Sequence, residues 1–294
     1  MKLFITGSES FIGKELIKYC LENSIEFKGI DKSKSDKPHS INIDIRDKSI
    51  ENYIEKDSII IHLAAVSRDS DCRDDCINAF DINVNGTINL INAAKKKKVK
   101  QFIFASSEWV YGNTINNSEQ IETDKIDITS MESEYAITKI IGEQLIKINN
   151  TQFVSTILRF GIIYGPRTGN WSAFEAIFNL VRTKNKAEIG SLKTSRRFIH
   201  VKDIVSGIIA SLNYPSNDVF NLCGNNDVTL KDIIDESSNI LNKDNFEVSE
   251  KDGNNPNIRK PVNTKAKNNL AWKPLITYQD GLQELKEYFD EEKI

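Results

Sequence analysis

Through the first 160 residues, short apolar runs alternate with longer helical stretches, and this alternation leaves the chain few possible folds. "LFIT" (3–6), "EFKGID" (26–31), "SIIIHLAA" (58–65), "KQFIFASS" (100–107) and "FVSTILRF" (153–160) read as strands. Their apolar residues are continuous rather than alternating, as strands buried on both faces require. Helical stretches at 11–22, near 74–97 and at 134–149 lie between them. Strand–helix–strand repetition at this spacing predicts a parallel, doubly wound α/β sheet.

After Pro166 the pattern changes. Residues 166–195 are mixed, "RRFIHVKDIVSGIIASL" reads as a strand entering a helix, and "VFNLCG" reads as a strand. "TLKDIIDESSNIL" reads as a helix with Thr229 at its N-cap. The Asn-, Asp- and Lys-rich stretch 242–264 is expected to loop over the surface, and a last helix to cover about 279–291.

Composition narrows the function. The 294 residues are 39% hydrophobic and 28% charged, as in an ordinary globular protein. A net charge of −3 gives no electrostatic basis for nucleic-acid binding. The basic run Lys95–Lys98 ends a helical pattern and reads as a solvated, dipole-complementing helix end. No apolar stretch approaches a membrane span, and the N-terminus enters a strand directly, without a signal peptide. Cys20, Cys72, Cys76 and Cys223 form no disulfide framework, which fits a reducing cytoplasm. Cys72 and Cys76 are four apart on a predicted helix, but no histidine or second cysteine pair completes a metal site. A cytoplasmic protein without metal or membrane is expected.

The stretch "LFITGSESFIGKEL" places a strand, a tight loop and a helix start in succession. Gly7 permits the turn, Gly13 permits close helix packing, and the helix N-terminus presents N–H groups to a pyrophosphate. Ser10 stands where a backbone would approach the phosphate without a side chain. Its hydroxyl can donate to a phosphate, and a positive φ there would strain it by about 1 kcal/mol. Asp31, at the end of the second strand, can accept from both adenosine ribose hydroxyls and would repel a 2′-phosphate, which favours NAD.

"YAITK" puts Tyr135 and Lys139 four apart near the start of a helix, hence on one face. A phenol needs adjacent positive charge to act as a base near neutrality, and Lys139 with an oxidised nicotinamide would supply it. Ser107 ends the strand of "FASSEWVYG", at the sheet edge where open α/β folds bind ligands. There its hydroxyl can bond the substrate oxygen whose proton the tyrosine takes.

With these residues in this order, the chain resembles the extended short-chain dehydrogenase/reductase superfamily, specifically its NAD-dependent epimerase/dehydratase branch acting on nucleotide sugars. "TGSESFIG" resembles the glycine motif, through Gly7, Ser10, Phe11, Ile12 and Gly13. "DIRD" resembles the segment whose Asp44 and Ile45 flank adenine. "HLAA" resembles the strand whose Leu63, Ala64 and Ala65 pass beside the cofactor, and "NVNGT" the segment supplying Asn83, which the resemblance counts, with Tyr135 and Lys139, among the cofactor-binding residues. "SSEWVYG", "YAITK", "LRFGIIYGPR", "RRFIHVKD", "VFNLCGNNDVTLKD" and "LAWKP" follow in the family's order.

The resemblance implies a Rossmann-type NAD-binding domain over 1–165, to which about 196–222 returns, and a smaller C-terminal α/β substrate-binding region over 166–294. It implies NAD as cofactor, a nucleotide-diphosphate sugar as substrate, and transient oxidation to a keto-sugar. Ser107, Tyr135 and Lys139 are the catalytic residues so implied, and Ser107, Glu108 and Arg196 the substrate-binding ones. Relatives commonly pair through helices matching 74–97 and 134–149, which implies a homodimer.

Three places depart from the family pattern. Glu108 fills the first place of the acidic pair that runs elimination in 4,6-dehydratases, but Trp109 fills the second. Ile162 stands where relatives carry a diphosphate-contacting asparagine, and Arg197 where they carry an aspartate. The 166–195 region has no diagnostic sugar motif, though Trp171 and Phe174 could line a pocket or fill the core. A sugar 4-epimerase is the leading expectation. A keto-sugar reductase, a 4,6-dehydratase and a non-catalytic NAD sensor or scaffold stand as alternatives.

Overall fold

A computed structural model of the chain describes residues 2–112, 118–169 and 171–291, so residue 170 and residues 292–294 of the expected C-terminal region lie outside it. The first elements are β1 (Lys2–Thr6), α1 (Phe11–Glu22), β2 (Glu26–Asp31), β3 (Ser40–Asn42) and β4 (Ile59–His62). Next come α2 (Asp69–Asp74), α3 (Cys76–Phe80), α4 (Thr87–Lys97), β5 (Gln101–Ser107), α5 (Glu134–Lys147) and β6 (Val154–Phe160). Then follow β7 (Ile163–Tyr164), α6 (Ala173–Thr183), β8 (Lys186–Ile189), β9 (Ser195–Arg196), β10 (Ile199–His200) and α7 (Val201–Ala210). The remaining elements are β11 (Asp218–Leu222), β12 (Val228–Thr229), α8 (Leu230–Leu241), β13 (Glu247–Glu250), α9 (Thr264–Leu270) and α10 (Tyr278–Glu291).

Seven strands pair in the order β11-β6-β5-β4-β1-β2-β3, and every pair is parallel. Both faces are apolar, which explains the unbroken hydrophobic runs. In β1, Leu3 and Ile5 pack with Leu16, Ile17, Ile204 and Ile208 of α1 and α7. Phe4, on the opposite face, packs with Leu90, Ile91 and Ile146 of the α4–α5 side. Each such side chain contributes about 1.5–3 kcal/mol on burial. A third cluster joins Tyr164 to Phe174, Phe178, Ile233, Leu282 and Phe289, binding α6, α8 and α10 into a layer beside the sheet.

The structure adds one strand that the sequence analysis does not name and corrects two local expectations. Strand β3 has only three residues and sits at the sheet edge, too short and too polar for its periodicity to register. The supposed surface loop 242–264 contains β13, whose four residues pair in parallel with β8. The single helix near 74–97 is broken: Asp75 leaves the helical region and its side chain caps α3 through Asn78 N–H at 3.1 Å. A π-helical turn over Asp81–Gly86 then joins α3 to α4.

From β1 the strand order runs one way through β2 and β3, and the other way through β4, β5, β6 and β11. The reversal lies between β1 and β4, and the carboxyl ends of these strands open a crevice there.

Candidate active site

The crevice begins at the turn after β1. Gly7 has φ +74°, and a Cβ on it would lie 2.7 Å from the Ala64 main-chain nitrogen. Only glycine lets the loop lie so close to the chain leaving β4. A Cβ on Gly13 would lie 2.2 Å from the Gly7 carbonyl oxygen, so α1 rests directly on the loop. Ser10 adopts φ −68° and ψ 168°, an extended conformation, so the strain of a positive φ does not arise. Its Oγ accepts from Gly13 N–H at 3.1 Å and caps α1. Acting as acceptor leaves the hydroxyl proton for a donor role.

A cleft of about 470 Å³ runs from this turn across the ends of β2, β1, β4 and β5. Gly7, Ser10, Phe11, Ile12, Asp31, Asp44, Ile45, Leu63, Ala64, Ala65, Ser107, Tyr135 and Lys139 all line it. Gly13, Asn83, Glu108 and Arg196 are not among its lining residues. Asp31 is fixed by two main-chain donors, Glu9 N–H at 3.0 Å and Ser33 N–H at 2.8 Å. Asn83 sits in the π-helical turn and works structurally. It accepts from Val66 N–H at 2.8 Å and donates to the Val66 carbonyl at 2.9 Å and to Thr138 Oγ1 at 3.0 Å. Glycines at the phosphate turn, a helix N-terminus without acidic residues in its first turn, and a carboxylate at the end of β2 together fit a dinucleotide.

Ser107, Tyr135 and Lys139 meet at the far end of this cleft. Ser133 caps α5 through Ala136 N–H at 3.1 Å, which sets the helix start and faces Tyr135 and Lys139 into the cleft. Lys139 Nζ donates to the Ala105 carbonyl at 2.9 Å and lies 5.6 Å from the Tyr135 ring centre. Ser107 Oγ accepts from Trp109 N–H at 3.3 Å, and the Trp109 ring meets the Tyr135 ring edge-on. In the chain by itself burial governs both titrating groups. It pushes the Tyr135 phenol well up, against a Ser107 hydrogen bond pulling it down. It brings the Lys139 ammonium down to about 8. Nearby His62 is neutral, lowered to about 3 by burial and by Lys139, and is clasped between Thr6 Oγ1 at 2.7 Å and Thr87 Oγ1 at 3.0 Å.

A smaller recess of about 230 Å³ adjoins the cleft, sharing the Trp109 wall and holding Arg196, Asn257 and Arg259. Arg196 donates to the Asn257 carbonyl at 2.6 Å, to Asn257 Oδ1 at 2.7 Å and to the Ser195 carbonyl at 2.7 Å. Its Nε lies 3.4 Å from Glu108, with Arg259 Nη1 3.8 Å from the same carboxylate. Glu108 is fully buried, so it is no solvated strand end. Burial pushes its pKa up, and the two guanidiniums pull it back. Arg197 is committed to Asp227 at 2.9 Å and Glu119 at 2.7 Å. Trp171 and Ile162 line the cleft, whereas Phe174 is core.

Among the lining residues that the sequence analysis does not name are two arginines that stack on aromatic rings. Arg259 stacks 4.3 Å from the Trp109 ring, but it lies in the polar stretch 242–264, where no periodicity marks a site. Arg167 lines the cleft, stacks 4.2 Å from the Phe11 ring and pairs with Glu175 at 2.8 Å. Its position directly after "YGP", at the end of β7, was the available signal.

Fold and cleft define a Rossmann-type dinucleotide-binding protein with a Ser–Tyr–Lys site. Residues 3–223 match the NAD dependent epimerase/dehydratase family, and the chain belongs to that family of NAD-dependent enzymes. A putative UDP-glucose 4-epimerase of Methanocaldococcus jannaschii is 25% identical, over 96% of each chain. The UDP-glucose 4-epimerase of Thermotoga maritima, solved with UDP-glucose, superposes with a TM-score of 0.88 over the full length of both chains at 22% identity, a likeness of fold. The UDP-glucuronic acid 4-epimerase of Bacillus cereus, solved with UDP-glucuronic acid and NAD, is 25% identical with a TM-score of 0.84 over 99% of each chain. Among the described residues, no helix is long and apolar enough to cross a membrane, and no cluster of side chains could hold a metal ion.

Proposed function

We propose that the chain is an NAD-dependent nucleotide-sugar 4-epimerase, and the observation that carries this reading is the convergence of Ser107, Tyr135 and Lys139 on one cleft. When bound, NAD supplies reversible two-electron oxidation of the sugar carbon and, in its oxidised form, a positive charge in the same cleft. The Tyr135 phenolic oxygen takes the proton of the C4 hydroxyl and later returns it. Ser107 Oγ, oriented by Trp109 N–H, bonds the same sugar oxygen. Lys139, anchored on the Ala105 carbonyl, holds positive charge beside the phenol as the proton moves. Because burial raises the phenol, added cationic charge is what makes it a base near neutrality.

Epimerisation is favoured over dehydration by the position of the carboxylate. Elimination of water needs an acid and a base exposed to the sugar. Glu108 is buried between Arg196 and Arg259, and Trp109 occupies the second acidic place. Arg196 and Arg259 are proposed to receive the diphosphate or the sugar from the recess wall. The family likeness to UDP-sugar epimerases makes UDP-sugars the first substrates to try.

We further place the protein in the cytoplasm as a homodimer. All four cysteines are free, as a reducing compartment requires. Ile77 on α3 and Ile148 at the end of α5 are 86% and 74% exposed, apolar surface that pairing would cover. Light scattering after size-exclusion chromatography tests the dimer. For the activity, NAD-loaded protein is offered UDP-, dTDP-, GDP- and CDP-sugars. One should be inverted at C4 without net accumulation of NADH. No conversion across the panel would overturn the reading, and stoichiometric NADH oxidation with a 4-keto-sugar would replace it with a reductase.

A further inference from the structure

The phosphate turn carries a side chain that the proposed reaction does not use. Glu9, between Gly7 and Ser10, lines the cleft beside Asp31, Lys32 and Ser33. Its main-chain N–H donates to Asp31 Oδ2 at 3.0 Å, which locks the two residues to one corner. The Glu9 side chain is only 14% exposed, and its Oε2 pairs with Lys37 Nζ at 3.3 Å. Its other oxygen, Oε1, is buried without a hydrogen-bond partner. Burial raises its pKa, but Ser35 and Lys37 outweigh this and hold it below the usual carboxylate range, so it is ionised at neutral pH.

The surrounding chain makes this carboxylate informative. The segment after β2, "KSKSDKPH" (32–39), carries Lys32, Lys34 and Lys37, a composition suited to gripping a phosphate. Glu9 occupies one of these lysines and adds a second negative charge to the corner where Asp31 already stands. With no hydrogen bond to Oε1, the carboxylate keeps acceptor capacity to spare, and a ribose diol supplies O–H donors. A 2′-phosphate, carrying about −1.5 to −2 charges near pH 7, replaces one of these donors with acceptor oxygens and is repelled.

We propose that Glu9 is a second reader of the adenosine ribose, setting cofactor choice by meeting an unmodified diol, repelling a 2′-phosphate and holding Lys37 away from it. This rests on the reading in which Asp31 faces that ribose. Glu9 therefore acts on affinity for the dinucleotide, and the reaction at Tyr135 does not pass through it.

The test is isothermal titration of the full chain, stripped of nucleotide, with NAD and with NADP. In Glu9→Gln, which keeps the shape and removes the charge, the ratio of NAD to NADP affinity should fall about tenfold or more. Adding Lys37→Ala to Glu9→Gln should return much of that loss, because the freed lysine is then missing. Thermal melts confirm that each variant folds, and Glu9→Ala provides a second neutral form. A ratio within about twofold of the starting protein in both neutral variants would overturn the proposal. If Asp31→Asn also leaves the ratio unchanged, the corner is not the ribose site, and the reading beneath the proposal fails with it.

Discussion

The cleft and the arginine recess differ in how far side chains hold their polar groups. Along the cleft the anchor is the main chain: Ser10 is tied to Gly13 N–H, Asp31 to Glu9 and Ser33 N–H, and Lys139 to the Ala105 carbonyl. In the recess side chains hold one another as well, with Arg196 on Asn257 Oδ1 and Glu108, and Arg259 beside the same Glu108. A site set by backbone geometry is ready before its ligand arrives. A site of paired side chains must exchange existing partners for new ones, and it pays that cost in affinity while gaining selectivity. The dinucleotide end of the cleft is thus preformed, and a substrate held in the recess, as proposed, would have to displace partners already in place.

The largest effect should come from the preformed end. Tyr135→Phe should lower kcat by about 10²–10⁴ while NAD still binds, because only the proton-carrying oxygen is lost. Stopped-flow and titration measurements separate the two. A retained rate would show that Tyr135 does not carry the proton and would remove the functional meaning of the comparison.

The frame that makes the cleft rigid is testable next. Glu143 is fully buried on α5 and binds Arg159 of β6 through Nε at 2.9 Å and Nη2 at 2.8 Å, while Ser106 Oγ donates to it at 2.6 Å. These contacts tie the helix of Tyr135 and Lys139 to the strand ending at Ser107. Removing one partner of such a pair costs about 3–5 kcal/mol, so Glu143→Ala should lower the unfolding free energy read from urea melts by that amount. Burial raises the Glu143 pKa, but Arg159 and Ser106 prevail and hold it below the usual range. The pair's stabilisation is therefore present above the ordinary carboxylate pKa and is lost as pH falls through the depressed one. Equal stability of Glu143→Ala and the parent at neutral pH would show that the cleft does not depend on this strut.

The same contrast explains what the sequence disclosed. Gly7, Asp31, Ser107, Tyr135 and Lys139 were legible because strand ends and a helical four-residue spacing fix where they stand. The parallel sheet was legible because burial on both faces leaves unbroken apolar runs. Arg259 was not, since its place against Trp109 follows from a long-range fold of an irregular segment. Glu108 was expected to face substrate, and two arginines distant in the chain meet it in a buried position. Asn83 was read toward the cofactor, but the π-helical turn spends its amide on Val66 and Thr138.

At the recess, Arg196→Met should raise KM for a nucleotide sugar about tenfold with a smaller change in kcat, as expected when uniform binding is removed. Arg196→Lys should not restore it, because an ammonium cannot keep the forked contacts to Asn257 and offer a further pair to a diphosphate. An unchanged KM would mean that the recess stays closed on itself during turnover, and the substrate would then lie within the larger cleft.

The smallest effect is expected at Ser10, where the sequence departs from glycine. Its extended φ and its hydrogen bond to Gly13 N–H make it a helix cap rather than an obstacle. Ser10→Gly exchanges one tolerated cap for another, so stability should fall by only about a few tenths of a kcal/mol. NAD affinity should stay within about twofold, because the helix N-terminus and the turn persist. Loss of binding in Ser10→Gly, with the melt unchanged, would show that the hydroxyl is itself an essential phosphate donor. The cleft would then depend on a side chain at the point where its preformed character is held to come from the backbone.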